Sequence, residues 1–227
     1  MQMYEVEFPQ WAIDRNIRNR AREHAVISIE PAKTALIIID IQNAWVEPGY
    51  SPLYIEAAKD IVPNINRLSN VMRSIGGHVV FTQHCWGKWP EFFEMFSNQA
   101  FHDEVIEKTQ VGTHGHALWP ELDVADNDIM VVKTRPSAFI QGSSDMDAVL
   151  KSKGIDTVII TGTLTNACCE SSARDAAALN YRVIFAADAT ATRSAQEHNS
   201  TLVNLGQYVA DIRFSDELAG FLEGQAS

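Results

Sequence analysis

The sequence has few cysteines, and their arrangement argues against a disulfide framework. The three cysteines among the 227 residues are Cys85, Cys168 and Cys169. An odd number of cysteines, two of them adjacent, is a poor basis for disulfide bonds. We therefore expect reduced thiols in a reducing compartment. The alternatives for the adjacent pair are a strained vicinal disulfide and a metal site. Zinc-binding cysteines are usually separated by about two to four residues, a spacing that this chain does not repeat.

Long apolar runs and basic runs are also missing. No apolar run approaches the roughly 18 residues of a membrane-spanning helix, and the first residues lack the basic and apolar regions of a secretion signal. Aspartate and glutamate outnumber lysine and arginine by 29 to 18, which gives a formal charge of −11. This charge argues against nucleic acid and anionic membranes as partners, because both are negatively charged. We expect a cytoplasmic protein.

The chain also lacks internal repeats, low-complexity segments and flexible linkers, so we expect one folded domain. An apolar fraction of 46% is sufficient for a large core. Residues 1–30 are polar and form an N-terminal extension, in which Trp11, Ile13 and Ile17 have a weak helical spacing. The extension packs either on its own domain or on a partner subunit. Residues 31–227 form the main domain.

Six short apolar runs alternate with helical segments in the main domain. Because the runs are continuously apolar, they predict strands buried on both faces, as in parallel sheets. The pattern therefore predicts a three-layer α/β fold with a six-stranded, mostly parallel sheet. The predicted strands are Ala35–Ile39, His78–Thr82, Asp128–Val132, Thr157–Ile160, Arg182–Phe185 and Tyr208–Ile212.

Helix ends can be read between these strands from glycines and from a capping box. The predictions are a helix over Ala57–Ile75, a helix from Ser143 or Ser144 to Gly154, and a helix that begins at Ser194 with Glu197 three residues later. The longest irregular region covers residues 85–128. It either builds a substrate pocket or covers one sheet edge. Its aromatic residues are Trp86, Trp89, Phe92, Phe93, Phe96 and Phe101.

Reactive side chains follow three of the predicted strands. Asp40 follows the first, Lys133 follows the third, and Cys168 lies at a helix start after the fourth. Because ligands bind at the carboxyl ends of strands in open α/β sheets, we expect these side chains to meet at one edge. There Asp40 would accept the thiol proton and Lys133 would stabilise the thiolate. Taken singly, they are an ordinary cap, a solvated lysine and a buried thiol.

The motifs around these residues resemble those of the isochorismatase-like cysteine hydrolases. They are Asp40-Ile-Gln-Asn43, Val132-Lys-Thr-Arg-Pro-Ser-Ala-Phe139 and Thr161-Gly-Thr-Leu-Thr-Asn-Ala-Cys-Cys-Glu170, and they occur in the family's order. The resemblance extends from Lys33 to Leu218. It implies a catalytic triad of Asp40, Lys133 and Cys168. It assigns Cys169 to packing, because the family has an aliphatic residue at that place.

The resemblance also implies a non-proline cis peptide bond at Leu164-Thr165. It implies an oxyanion hole at Leu164, Thr165 and Cys168, in which the N–H groups of Thr165 and Cys168 face the substrate carbonyl. The residues expected to bind substrate are Gln42, His84, Trp86, Arg135, Phe139 and Arg193. His84 is alternatively a satisfied polar residue at a strand end, and Arg135 alternatively forms a surface ion pair.

We expect no metal and no cofactor. The nicotinamidase subgroup of the family has an Asp-x-His…His metal site after the second strand, whereas this chain has Thr82-Gln-His-Cys-Trp86. His114 and His116 lie two residues apart in a loop, but the family has a similar segment without metal. The resemblance therefore implies chemistry carried by the side chains alone.

The presence of Cys168 favours hydrolysis of an amide or carbamoyl (ureido) C–N bond of a small molecule through a thioester. The motifs are similar to those of N-carbamoylsarcosine amidases and ureidoacrylate amidohydrolases. Two alternatives stay open. One is an isochorismatase-type vinyl-ether hydrolase with Asp40 as a general acid, and the other is a catalytically silent or redox-active member. Homo-oligomers are usual in the family, so we expect a dimer or tetramer.

Overall fold

A six-stranded sheet forms the middle layer of the fold. The computed structural model of the chain describes residues 4–86 and 95–225. The strands are β1 (Thr34–Ile39), β2 (His78–His84), β3 (Ile129–Lys133), β4 (Thr157–Thr163), β5 (Arg182–Ala191) and β6 (Asp211–Arg213). All neighbouring strands pair in parallel. Their order is β3-β2-β1-β4-β5-β6, so β1 and β4 lie side by side at the centre.

The central strand β1 shows why the runs are continuously apolar. It is buried along its whole length. Leu36 and Ile38 pack in the core on one side of the sheet, whereas Ala35, Ile37 and Ile39 pack in the core on the other side. Because both faces are covered, each position needs an apolar side chain, and the alternation of a half-exposed strand is absent.

Helices cover both faces of the sheet. In the described residues the α-helices are α1 (Gln10–Arg20), α2 (Asn43–Val46), α3 (Val62–Ser74), α4 (Gln99–Thr109), α5 (Met146–Ser152), α6 (Glu170–Ala178), α7 (Ala195–Gly206) and α8 (Ser215–Glu223). Side chains of α3 and α8 fill one core, and side chains of α5, α6 and α7 fill the other. The predicted three-layer α/β fold with a parallel sheet is confirmed. Across the described ranges, every helix is too short or too polar to cross a bilayer.

The helix predicted over Ala57–Ile75 is shorter in the structure. A single 3₁₀ turn covers Glu56–Ala58, and α3 begins only at Val62. Pro63 explains the later start, because a residue without an N–H group is tolerated in the first helical turn and not in the interior. The capping box is confirmed, since the Oγ of Ser194 accepts the N–H of Glu197 at 3.3 Å.

The last strand and the long irregular region also differ from the prediction. β6 begins at Asp211 rather than Tyr208, because the N–H groups of Val209 and Ala210 both donate to the Leu205 carbonyl and complete the end of α7. Residues 85–128 include α4, so this region is partly helical. Three of its aromatic residues, Trp89, Phe92 and Phe93, lie outside the described residues.

The N-terminal extension packs on its own domain. The buried Asp211 carboxylate in β6 accepts the N–H groups of Ala25 and Val26 at 3.0 and 3.2 Å. Arg213 donates to the Val26 carbonyl at 2.9 Å. Phe8 packs so closely on α7 that a Cβ added at Gly206 would lie 2.6 Å from its ring. These contacts show packing of the extension on its own domain; contact with a partner subunit stays a prediction.

Candidate active site

The carboxyl ends of four neighbouring strands converge on one site. Asp40 directly follows β1, and His84 and Lys133 are the last residues of β2 and β3. The registers place His84 opposite Lys133. Cys168 lies after β4, which pairs with β1 on its other side. The site therefore lies where the strand order changes direction, between β1 and β4, which is the usual ligand site of doubly wound sheets.

Gly162 allows β1 and β4 to approach closely. Its φ angle of +107° lies in a region that other residues rarely adopt. A Cβ at this position would lie 2.1 Å from the carbonyl oxygen of Ile39, the residue before Asp40. Any side chain at Gly162 would therefore push β1 away from β4. This glycine sets the separation between Asp40 and the turn that carries Cys168.

Cys168 lies in a short helical turn between β4 and α6. Thr165–Cys169 form one π-helical turn, in which the Cys169 N–H donates to the Leu164 carbonyl at 3.1 Å. Such turns are frequent at functional sites. The cis peptide bond joins Thr163 and Leu164, not Leu164 and Thr165 as predicted. The bond lies directly after the last residue of β4, Thr163.

The ammonium group of Lys133 connects the reactive side chains. Its Nζ lies 2.7 Å from Oδ2 of Asp40 and 3.4 Å from Sγ of Cys168, and it donates to the Arg135 carbonyl at 3.0 Å. Lys133 and Asp40 are fully buried. Each charge offsets the desolvation of the other, as a buried pair requires. The structure thus brings the three predicted residues together.

Asp40 is held in one orientation by Thr82 on β2. The hydroxyl of Thr82 donates to Oδ1 of Asp40 at 2.7 Å and accepts the Asp40 N–H at 3.2 Å. This leaves Oδ2 for Lys133. Asp40 has a φ angle of +53°, and left-handed backbone at a residue other than glycine is concentrated at functional sites.

Burial and neighbouring charges set the protonation states. Burial raises the pKa of Asp40, but Lys133 and His84 outweigh burial and hold this pKa well below its usual range. Burial lowers the pKa of Lys133, yet Asp40 and Cys168 outweigh it and the pKa rises. Burial raises the pKa of the Cys168 thiol to about 12, although Lys133 acts in the opposite direction. The resting site therefore contains a carboxylate, an ammonium and an uncharged thiol.

His84 is a buried, neutral imidazole beside this group. Its ring stacks on those of Trp86 and Trp45, with centroids 5.0 and 5.9 Å away. Its Nδ1 lies 3.2 Å from Nζ of Lys133. Burial, followed by the charge of Lys133, lowers the pKa of His84 to about 4. His84 therefore serves as an acceptor for the lysine, as the satisfied-residue alternative predicts, and it also borders the cavity described next.

A cavity of about 260 Å³ opens above Cys168. Its walls are mostly apolar and aromatic, and Arg193 brings a positive charge to them. The lining residues in the described part of the chain include Trp45, His84, Trp86, Phe101, Leu164, Cys168 and Arg193. Of the residues predicted to bind substrate, His84, Trp86 and Arg193 thus border this cavity. Its small volume suits a small-molecule ligand.

The other three residues predicted to bind substrate lie elsewhere. Gln42 is buried and holds neighbouring backbone, since it accepts the His84 N–H at 2.7 Å and donates to the His116 carbonyl at 2.8 Å. Phe139 packs in the core against Tyr181. The side chain of Arg135 borders an adjacent cavity. Neither Gln42 nor Phe139 is among the residues that line the cavity above Cys168 in the described part of the chain, so their part in substrate binding stays a prediction.

Asp40, His84 and Cys168 have the donor types of a metal site. Their ligand atoms all lie within 4.8 Å of one another. The ammonium of Lys133 contacts all three side chains, so a positive charge already satisfies this cluster. The arrangement fits the expectation of chemistry without a metal, which stays a prediction.

Two residues at the site were missed in the sequence. Thr82 orients Asp40, and its polar side chain within the apolar run of β2 was the available signal. His198 lies in α7 and reaches the turn of Cys168, with Nδ1 2.9 Å from Oγ1 of Thr165. No local pattern marks His198, because the contact joins residues 33 positions apart.

Comparison with known proteins places the chain in a family. Residues 34–217 match the isochorismatase domain. The chain is 33% identical over 180 residues to the ureidoacrylate amidohydrolase RutB of Rhizobium rhizogenes, which covers 72% of each protein. It is 34% identical over 209 residues to YwoC of Bacillus subtilis, an uncharacterized isochorismatase family protein, over 87% of this chain and 96% of YwoC.

A solved structure shows the same fold over the whole length. The crystal structure of a cysteine hydrolase from Pseudomonas syringae pv. phaseolicola superposes with a TM-score of 0.78 at 24% identity, over 99% of this chain and 100% of that chain. The domain match, the related sequences and the parallel sheet with Asp40, Lys133 and Cys168 at one edge lead to one conclusion. The chain belongs to the isochorismatase-like family of hydrolases.

Proposed function

We propose that the protein is a cysteine amidohydrolase that cleaves an amide or carbamoyl (ureido) C–N bond of a small molecule through a thioester on Cys168. One observation carries the proposal. The Lys133 ammonium contacts both the Asp40 carboxylate and the Cys168 thiol, so a base and a cation lie beside one nucleophile. The similarity to RutB, whose name gives ureidoacrylate as its substrate, supports the same bond type.

In the first step, the sulfur of Cys168 attacks the substrate carbonyl carbon while the thiol proton moves to Asp40. A free thiolate is scarce, because burial raises the pKa of Cys168 to about 12. Bond formation and proton transfer therefore occur together. Asp40 gains the proton that Cys168 loses, so the net charge of the site is constant. Lys133 stays protonated and stabilises the sulfur as its negative charge develops.

The carbonyl oxygen becomes negatively charged in this step and needs hydrogen-bond donors. The first N–H groups of a helical segment have no partner within the helix and carry partial positive charge. Leu164 precedes that segment, and Thr165 and Cys168 lie in its first turn. In the proposed mechanism, the N–H groups of Thr165 and Cys168 bind the oxyanion and Leu164 shapes the approach to them.

The second half returns the enzyme to its starting state. The C–N bond breaks, and the proton on Asp40 moves to the leaving nitrogen, which departs as an amine or ammonia. Water then attacks the thioester carbon and gives a proton to Asp40. When the C–S bond breaks, that proton returns to the sulfur. The overall reaction consumes one water and replaces the C–N bond by a C–O bond.

The cavity supports a small substrate with an apolar part. His84 and Trp86 form part of an aromatic wall, and Arg193 supplies a positive charge suited to a carboxylate. The proposed substrate-binding residues are therefore His84, Trp86 and Arg193. The enzyme is proposed to work in the cytoplasm, where thiols stay reduced. Assembly into a homo-oligomer stays a prediction.

Ether hydrolysis is the alternative, and the charges at the site disfavour it. That reaction needs Asp40 to donate a proton as a general acid. Although burial raises the pKa of Asp40, Lys133 and His84 hold it well below its usual range. The carboxylate is therefore ionised at neutral pH and suited to accept a proton. A redox role is disfavoured because the Cys168 thiol is buried and has a raised pKa, whereas redox-active thiols are exposed and acidic.

The decisive experiment measures ammonia release from carbamoyl amino acids, ureides and primary amides. The substitution Cys168→Ser should lower kcat by at least about 10³-fold, because it removes the nucleophile. Cys85→Ser is the matched control and should keep the activity of the parent, since Cys85 lies outside the triad. Mass spectrometry of a rapidly quenched reaction should show an acyl adduct on Cys168. Equal turnover by Cys168→Ser and the parent would rule out covalent catalysis.

A further inference from the structure

A tyrosine outside the family domain contacts two residues that bind the turn with the proposed nucleophile. The isochorismatase domain begins at residue 34, whereas Tyr4 belongs to the N-terminal extension. The hydroxyl of Tyr4 accepts the N–H of Thr192 at 2.8 Å. The same hydroxyl lies 3.4 Å from Nδ1 of His198. The extension thus contributes one polar group to the region behind the catalytic turn.

His198 carries this contact to the turn itself. Its side chain is fully buried, and its Nδ1 lies 2.9 Å from Oγ1 of Thr165. Thr165 is the first residue of the π-helical turn and supplies one of the two proposed oxyanion donors. Burial lowers the pKa of His198 to about 4, so the imidazole is neutral at working pH. A neutral, buried ring holds the Thr165 side chain without adding a charge near the oxyanion.

Thr192 provides a second route from Tyr4 to the same turn. The hydroxyl of Thr192 bonds to Oδ1 of Asn166 at 2.6 Å, and Asn166 follows Thr165 in the chain. The residue after Thr192 is Arg193, the positive charge at the cavity wall. The Tyr4 hydroxyl therefore contacts both Thr192 and His198. Thr192 binds the Asn166 side chain, and His198 binds the Thr165 side chain.

We propose that Tyr4 and His198 are positioning residues that fix the orientation of Thr165, and with it the oxyanion hole of the amide hydrolysis. The inference rests on the proposed function, and it gives the N-terminal extension a part in the active site. Small displacements of catalytic groups have large effects on rate, because an oxyanion donor must face the place where charge develops. Loss of the Tyr4 hydroxyl should therefore affect the chemical step more than substrate binding.

The test compares single-atom changes in the full-length protein. Tyr4→Phe removes the hydroxyl and keeps the packing of the ring. Thr165→Val removes the contact with His198 and keeps the side-chain shape, whereas Thr165→Ser keeps the hydroxyl. We expect kcat to fall about three- to tenfold in Tyr4→Phe and Thr165→Val, less than the roughly 10²-fold loss caused by removal of an oxyanion donor. KM should change less than about twofold. Thr165→Ser, which keeps the hydroxyl, should lose clearly less kcat than Thr165→Val.

Tyr208→Phe is the matched control, because Tyr208 is exposed and lines a cavity other than the one above Cys168. The effects of Tyr4→Phe and Thr165→Val should be less than additive in the double variant, since both act through His198. Parent-like kcat in both single variants would overturn the inference. So would a loss in Tyr208→Phe of the same size.

Failure of the proposed function is distinguishable from failure of this inference. The first is seen in the parent protein, and the second is seen only when the variants are compared with the parent. A parent that releases no ammonia from any compound contradicts the function. The rate at which iodoacetamide alkylates Cys168 then tests the positioning without turnover. It should fall in Tyr4→Phe and Thr165→Val, and it should fall less in Thr165→Ser than in Thr165→Val. Equal alkylation rates in all of these proteins would overturn the inference.

Discussion

At the scale of single residues, Lys133 is the group on which the site depends most. It is fully buried, and its ammonium contacts Asp40, His84 and Cys168. Each neighbour uses the lysine differently. The carboxylate gains a counter-charge, the imidazole gains a donor, and the sulfur gains a positive charge for its developing thiolate. Both the stability of the buried site and its proposed chemistry therefore depend on the Lys133 side chain.

Replacement of this lysine should be costly for stability. Lys133→Met leaves the Asp40 carboxylate buried without a counter-charge, so we expect the free energy of unfolding to fall by about 3–5 kcal/mol. The double variant Asp40→Asn with Lys133→Met should recover part of that loss, because it removes both charges. Urea denaturation at pH 7 measures both. A single variant as stable as the parent would show that Asp40 is not charged in the folded protein.

The sequence predicted the reactive residues better than the residues that surround them. Asp40, Lys133 and Cys168 each follow a strand, so the parallel topology alone brings them to one edge. Gln42 and Phe139 were predicted to bind substrate from motif similarity, yet their side chains face the backbone of β2 and the core. Side-chain direction depends on tertiary packing, which a linear motif does not contain.

At the scale of elements, the close approach of β1 and β4 depends on Gly162. The substitution Gly162→Ala should lower the free energy of unfolding by about 3–5 kcal/mol, since the new Cβ combines backbone strain with overpacking against Ile39. Thermal or urea unfolding measures the change.

Gly220→Ala is the control for the same chemical change. Gly220 lies within α8, and a Cβ there meets nothing within 4 Å. Alanine favours helix, so this variant should gain about 0.5–1 kcal/mol. If both variants were equally stable, Gly162 would not control the packing of the two strands.

Element boundaries were predictable where a local signal exists. Ser194 and Glu197 form the expected capping box. The predicted start of α3 was wrong because Pro63 is tolerated only in the first helical turn, so the helix begins at Val62. The start of β6 was predicted too early because Tyr208 and Val209 resemble strand residues, while hydrogen bonds to Leu205 hold the chain in a turn after α7. The local hydrogen bonds outweigh the strand propensity of Tyr208 and Val209.

At the scale of the whole molecule, two buried histidines make stability depend on pH. His84 and His198 each have a pKa lowered from 6.5 to about 4, with burial as the first cause. Between these values the unfolded chain binds protons that the folded protein excludes, so stability falls as the pH falls from 6.5 toward 4. Each histidine contributes at most about 1.4 kcal/mol per pH unit. Asp40 contributes mainly below this range, because its ordinary pKa of 3.8 in the unfolded chain lies beneath it and the folded pKa is lower still.

Urea unfolding at several pH values measures this dependence. The pKa of His116 is also lowered by burial, so more than two histidines titrate here. The variant His198→Asn removes one of these groups, so its stability should fall with pH less steeply than that of the parent in this range. A variant with the slope of the parent would show that His198 is protonated as readily in the folded protein as in the unfolded chain.

The overall architecture was predictable, while the place of the extension was not. Six apolar runs alternating with helices specify the sheet and its two covered faces. Residues 1–30 have only weak periodicity. Their position depends on Asp211 and Arg213, which bind the backbone of Ala25 and Val26 from nearly the other end of the chain. Such a contact has no local signature.

The strand order β3-β2-β1-β4-β5-β6 has a consequence for protein synthesis. A ribosome releases β1, β2 and β3 first, and these strands form one contiguous half of the sheet with Asp40, His84 and Lys133 at its edge. Cys168 belongs to the half that is made later. The nascent chain thus contains the proposed base and the Lys133 cation before the proposed nucleophile is synthesised, and docking of β4 beside β1 joins them. Hydrolytic competence therefore begins only after the second half of the sheet has been translated.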